Sequence, residues 1–344
     1  HQETSMIKTT LAASLLVCLF HLSLGNRALL PSSFLHSLFS AGYVGVESFF
    51  ILSGYVICYA FPRDTSTRNT CKFLLKRATR IEPPYIASIL LVLLLGFLSA
   101  CFTGNKVVSP DSLQLLAHLL YFNNFSPSTY INTVYWTLGI EFQFYLIIAF
   151  LFPYLQSSGR SCISALAFFF LFSFLQFSSG ALLVFSYLPY FGLGIVVYFQ
   201  KQKAFANKLL PLILCLFLLR IFAYAGFSGM LAAALVAAVL FFWRYSNNVI
   251  RFFSMISFSL YLTHVPLGGK IINLGLRYFH SRFEHYLLFV IAFLFSIAFA
   301  YVFYRVVERP SLSLAKRIQF AQNPDTVIVV AEKNATRREK AIAV

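Results

Sequence analysis

Long apolar runs, broken by short segments rich in charge, glycine, proline and asparagine, follow one another along this chain. The runs reach the roughly 18–20 residues that about 30 Å of hydrocarbon demands of a helix, and they lack the alternation of a β-barrel strand. Set against their breaks, they predict spans at 6–24, 43–61, 83–102, 135–154, 162–178, 181–200, 207–225, 227–243, 252–272 and 284–306. The expected fold is therefore all-α, a polytopic membrane bundle of about ten transmembrane helices. Asp111 to Phe122 is apolar but too short to cross, so it reads as an interfacial or re-entrant helix. Residues 1–316 form the membrane domain, and 317–344 form a short tail too small for a core of its own.

An even number of spans puts both ends of the chain on one side, and Lys and Arg accumulate in cytoplasmic loops. With the ends inside, one cytoplasmic loop holds Arg63, Arg68, Lys72, Lys76, Arg77 and Arg80. Others hold Lys201, Lys203 and Lys208, then Arg244 and Arg251, then the basic residues from Arg305 onward. Only Arg27, Lys106, Lys270, Arg277 and Arg282 fall outside, and Arg220 is expected to snorkel from the outer end of its span. This asymmetry predicts cytoplasmic termini.

Composition changes the picture little. With 59% hydrophobic and 11% charged residues the chain is not a water-soluble domain. The net charge of +16 reads as a topology signal toward membrane lipids rather than a nucleic-acid footprint. Cys18, Cys58, Cys71, Cys101, Cys162 and Cys215 lack metal-ligand or disulfide spacing and read as small hydrophobes, so no metal is expected. Lys8 followed by an apolar stretch reads as the start of the first helix rather than a cleaved leader.

An ionisable side chain in hydrocarbon costs about 2.5–3.5 kcal/mol and needs a partner or a purpose. Four stand out: His21, Glu47, Glu141 and His264. Depths counted from the span ends place all four in the outer half of the bilayer, as one polar ring. Two histidines and two carboxylates around one cavity suit proton abstraction from a hydroxyl. The same ring suits a proton relay in a transporter or flippase, or polar packing of helices. On the opposite face Arg77 and Arg80, three residues apart, can clamp phosphate oxygens or form an ordinary basic collar.

The ordered motifs resemble the acyltransferase-3 family of membrane acyltransferases. Leu15-Leu16-Val17-Cys18-Leu19-Phe20-His21 is similar to the family's first helix, and Gly42-Tyr43-Val44-Gly45-Val46-Glu47-Ser48-Phe49-Phe50-Ile51-Leu52-Ser53-Gly54-Tyr55 to its second-helix signature. Phe73 to Tyr85 resembles the basic motif, Trp136 to Tyr145 the tryptophan-to-tyrosine motif, Ile256 to Pro266 the later histidine motif, and Val307-Glu308-Arg309-Pro310 the close of the last helix. One position departs: Thr10 stands where the family commonly has an arginine, and Lys8 is the nearest cation.

The resemblance implies a multi-pass acyltransferase of the bacterial inner membrane, with acetyl-CoA or another acyl-CoA as donor and a hydroxyl of a surface glycan or glycolipid as acceptor. It places His21 as general base or acyl carrier, with Glu47, Glu141 and His264 beside it. Arg77, Arg80, Lys8 and Glu308 are expected on the donor, and Trp136, Asn123, Asn124 and Tyr145 on the acceptor. Polysaccharide-assembly proteins are the expected partners. A non-catalytic member of the same fold stays open beside the enzyme.

Overall fold

The computed structural model describes residues 3–24, 29, 34–62, 64–104, 109–125, 130–157, 159–175, 183–202, 209–243 and 247–321, without the side chains of 3–12, 35–37 and 159. Among them the fold is all-helical: α1 Glu3–Leu24, α2 Phe34–Ser40, α3 Val44–Ala60, α4 Thr67–Thr103, α5 Ser112–Leu119, α6 Trp136–Gln156, α7 Gly159–Phe172, α8 Leu188–Gln202, α9 Leu210–Phe242, α10 Asn248–Gly275, α11 Arg282–Phe303 and α12 Arg309–Arg317. Six helical segments, Leu38–Ala60, Thr67–Thr103, Thr133–Gln156, Leu210–Phe242, Asn248–Gly275 and Arg282–Arg317, are long and apolar enough to cross a membrane. A belt of exposed Leu, Phe and Ile runs round the bundle, as hydrocarbon surroundings require.

Three helix–helix seams organise the bundle: α1 against α10 with α11 outside it, α3 between α1 and α8, and α9 against α8. Small residues make the second seam close. A Cβ on Gly54 would stand 2.1 Å from the Phe191 carbonyl oxygen, and one on Gly194 2.0 Å from that of Ile51, so each backbone lies in the notch of the other.

The break expected between residues 225 and 227 falls at Gly226, whose φ of 71° and ψ of −169° divide α9 into two limbs. Tyr224 meets Tyr187, and Phe217 lies under Gly192, so the first limb runs antiparallel to α8. Gly229 then meets Tyr190, and the Lys201 Nζ donates to the Leu240 carbonyl at 2.8 Å, so the second limb runs parallel to α8. The chain reverses direction at this glycine.

Two expectations change. The span expected to start at Pro83 begins sixteen residues earlier, capped by the Ser66 hydroxyl, and continues through Pro83 and Pro84. At 1.5 Å per residue α4 is about 55 Å long, longer than the hydrocarbon core, and carries Arg77 and Arg80 on its extension. Arg220 does not snorkel: it is 7% exposed, its Nε donates to the Ser173 hydroxyl and its guanidinium to the Ser173 carbonyl at 2.6 Å. A carbonyl left open past the end of α7 holds it better than a reach to solvent.

The expected re-entrant segment is α5, capped by Asp111 and pinned at its far end by His118. That imidazole is 1% exposed; Nε2 accepts the Ile131 N–H at 3.1 Å, and Nδ1 meets the Tyr85 hydroxyl at 3.0 Å. A ring that must accept at Nε2 cannot be an imidazolium, and burial pulls its pKa down to about 4. Past α12, residues 318–321 fold back onto α4, where the buried Asn69 amide exchanges two hydrogen bonds with Ala321.

Candidate active site

α1 and α10 each carry a histidine at their seam. The rings of His21 and His264 lie with centroids 5.3 Å apart and planes inclined by 47°. His264 is fully buried, and its Nδ1 faces the Leu260 carbonyl oxygen at 2.8 Å. A carbonyl only accepts, so Nδ1 carries the proton and Nε2 is a bare lone pair. That Nε2 is enclosed and reaches no partner among the described residues. One turn earlier, Tyr261 is locked by Thr137 and by the Val134 carbonyl, which fixes this stretch of α10.

Beyond Tyr261, between α3, α4, α6 and α10, lies a cavity of about 180 Å³ bounded by Arg77, Arg80, Glu141, Ser53, Tyr145 and Ser257. Arg77 is buried with its guanidinium 5.6 Å from the rings of both Phe73 and Tyr145. Glu141 accepts hydrogen bonds from Ser53, at 2.9 Å, and from the Tyr145 hydroxyl. Glu308 stands on a single π-helical turn, Tyr304–Glu308, which rotates it inward. It accepts from the Ser259 N–H and hydroxyl, at 3.2 and 2.5 Å, within electrostatic reach of Arg80. The arginine pair therefore faces the cavity with carboxylates on two sides.

The single ring of four is corrected. His21 and His264 come together, but Glu141 sits with Arg77, and Glu47 faces α8 and α9. On α3, Gly45 packs on Ala13 and Val17 of α1, and Glu47, about 200° further round the helix, points the other way. A Cβ on Gly229 would stand 3.9 Å from Glu47 Oε2 and 3.8 Å from the Tyr190 hydroxyl. The start of α6 is enclosed by the protein: Val134 and Tyr135 just before it are each 1% exposed.

The expected acceptor residues divide as well. Trp136, the first residue of α6, packs against Phe50 and Tyr187. Asn124 holds that corner, donating to the Trp136 carbonyl at 3.1 Å and accepting from Tyr130. Asn123 is 3% exposed, and neither of its amide atoms reaches a described partner. Tyr145 belongs to the arginine cavity instead. Lys8 and Thr10 lie on α1, and their side chains fall outside the described residues.

Sequence reading missed Ser53, Ser257 and Tyr261 on the cavity, and Tyr187 and Tyr190 beside Glu47. Hydroxyls within apolar runs cost little, so apart from the motifs that contain Ser53, Ser257 and Tyr261 nothing marks them. Tyr187 and Tyr190 share a short run with Pro189, and that spacing was the available signal.

The family model for an acyltransferase domain matches residues 11–305. The chain is 28% identical over 185 residues to an O-acetyl transferase of Shigella phage Sf6, an alignment covering 49% of this chain and 51% of that protein. It thus spans about half the length of that curated relative. No solved structure matches. A match across most of the chain, on a helical membrane bundle with its motifs in order, shows that this protein belongs to the acyltransferase-3 family of acyltransferases.

Proposed function

We propose that this protein is a membrane O-acyltransferase that moves an acetyl group from acetyl-CoA to a hydroxyl of a cell-surface glycan or glycolipid in the bacterial inner membrane. The observation that carries the reading is the His21–His264 pair, with one enclosed lone pair on His264, standing beyond a cavity whose far end holds two arginines. Donor phosphates, from acetyl-CoA or another acyl-CoA, would meet Arg77 and Arg80, which have Glu141 and Glu308 within electrostatic reach. Arg80 is the exposed member and Arg77 the buried one, so the first contact falls to Arg80.

In the transfer step an imidazole takes the proton of the acceptor hydroxyl while its oxygen attacks the thioester carbonyl. The carbon–sulfur bond breaks, and the departing thiolate takes the proton from the imidazolium. The products are an ester and free thiol, so no other reactant is needed. His264, with Nδ1 held by a carbonyl, can accept from His21 or from the hydroxyl; His21, less enclosed, is the member that meets substrate.

The topology belongs to the same reading. Counting α1, α3, α4, α6, α7, α8, both limbs of α9, α10 and α11 gives ten spans with both ends on the cytoplasmic face, and the reversal at Gly226 supports the count. The donor then arrives from the cytoplasm and the acceptor from outside. Purified protein mixed with radiolabelled acetyl-CoA and a glycan acceptor should release CoA and label the glycan. Labelling by a His21→Ala, His264→Ala double variant at the wild-type rate would overturn the mechanism.

A further inference from the structure

Glu47 lies away from the histidines, in a corner built by α3, α8, the second limb of α9 and the start of α6. Its Oε2 and the hydroxyl of the fully buried Tyr190 face each other. Both atoms are enclosed, yet neither completes a hydrogen bond of good geometry with a described group. A polar atom left so costs about 1–3 kcal/mol and asks for a ligand or water to complete it. Tyr187 stands within electrostatic reach of Glu47, its ring 5.5 Å from Trp136 and 6.5 Å from Tyr224. Trp136 and Tyr187 are half-buried and Tyr224 is 43% exposed, so the aromatic wall is open on one side. Arg220, on the first limb of α9, is bonded to Ser173.

Flat aromatic faces beside a carboxylate and a phenol suit a ring that offers C–H faces and hydroxyls together. The Glu47 carboxyl and the Tyr190 hydroxyl can exchange hydrogen bonds with sugar hydroxyls, and a neutral ring pays less than an anion to enter an enclosed, largely apolar corner. We propose that Glu47, Tyr190, Tyr187 and Trp136 form the acceptor subsite and take a neutral sugar, its ring against Trp136 and Tyr187 and its hydroxyls on Glu47 and Tyr190. The word acceptor rests on the transferase reading above; the binding of the sugar does not. Glu47 is on this account a specificity residue, outside the chemistry.

The chain has two tryptophans, so Trp243→Phe leaves Trp136 as the sole reporter. Full-length protein with that change is titrated with methyl glucoside, methyl galactoside and methyl glucuronide while tryptophan emission is followed. The neutral glycosides should give a saturable change, and the glucuronide should bind at least about tenfold more weakly, a gap of about 1.4 kcal/mol. Glu47→Gln, which changes the hydrogen-bonding set, and Tyr187→Leu, which removes a ring face, should each weaken the neutral glycosides about tenfold. In transfer assays both variants should raise the acceptor KM and leave the Kd for acetyl-CoA unchanged. Silence of Trp136 toward every glycoside overturns the subsite, as does a response that ignores both variants, which is what mere interfacial anchors would give. A fall in kcat at constant KM in Glu47→Gln also overturns it, by returning Glu47 to the chemistry. A Trp136 titration in a protein that transfers nothing supports the subsite and defeats the transferase reading alone.

Discussion

Six residues along α3 separate Glu47 from Ser53, about 9 Å at 1.5 Å per residue, and the two levels are built on opposite plans. At the Ser53 level the charges are compensated: Glu141 holds two hydrogen bonds beside Arg77, and Glu308 holds two from Ser259 near Arg80. At the histidine and Glu47 level, His264 Nε2, Glu47 Oε2 and the Tyr190 hydroxyl are enclosed without completed bonds. A compensated cluster stands preorganised before anything binds, as a phosphate clamp must. Incomplete atoms belong where a ligand or a reacting group completes the set. On the proposed function, the difference separates holding the donor from handling the acceptor and its proton.

The sharpest break of that contrast removes a histidine. His264→Ala should lower kcat about 10²–10⁴-fold, the usual range for general acid–base catalysis, with little change in the KM for acetyl-CoA. Steady-state kinetics with both substrates varied checks this. A rise in donor KM alone would merge the two levels into one binding site.

Next comes the frame that keeps the levels apart. Gly54→Ala drives a methyl against the Phe191 backbone, and overpacking of this kind typically costs about 1–3 kcal/mol. Thermal unfolding in detergent should show the loss. Residual activity should fall at both levels together, since α3 carries both.

Arg80→Lys should act on the donor level only. Lysine keeps the charge but loses the fork that grips two phosphate oxygens, so the KM for acetyl-CoA should rise about tenfold at constant kcat. Isothermal titration with CoA alone should give the same factor. An equal loss for the acceptor would contradict the division.

Much of this was legible from residue order. Apolar length gave the helices, and Gly226 marked the break between two expected spans. The burial rule for charge picked out His21, Glu47, Glu141 and His264. What failed was azimuth: a span read as a line cannot say that Glu47 turns from α1 because Gly45 turns toward it. The expected span at 83–102 marked only the apolar stretch, whereas the helix starts at the Ser66 cap and carries a charged extension before that stretch. The hydroxyls of Ser53 and Tyr190 were silent because single hydroxyls cost an apolar helix too little to stand out.

The smallest effect tests whether the incomplete level can be loosened on its own. His118 ties α5 and Ile131 to Tyr85, at the approach to Asn124 and Trp136, and lies outside the spanning helices. Its folded pKa of about 4 lies below the ordinary 6.5, so the unfolded chain takes up a proton first as pH falls. The contribution to stability is complete above pH 6.5, declines between 6.5 and about 4, and declines no further below. Unfolding temperatures in detergent should therefore drop across that window in wild-type protein, with a shallower slope in His118→Gln. Tyr85→Phe, which deletes the hydroxyl's two hydrogen bonds to His118, one at Nδ1 and one at the carbonyl, should cost about 1–3 kcal/mol. Hydrogen exchange in both variants should rise over residues 112–119 and 130–135 and stay unchanged over 73–80. Equal loosening of the arginine segment would show that the two levels are one mechanical unit.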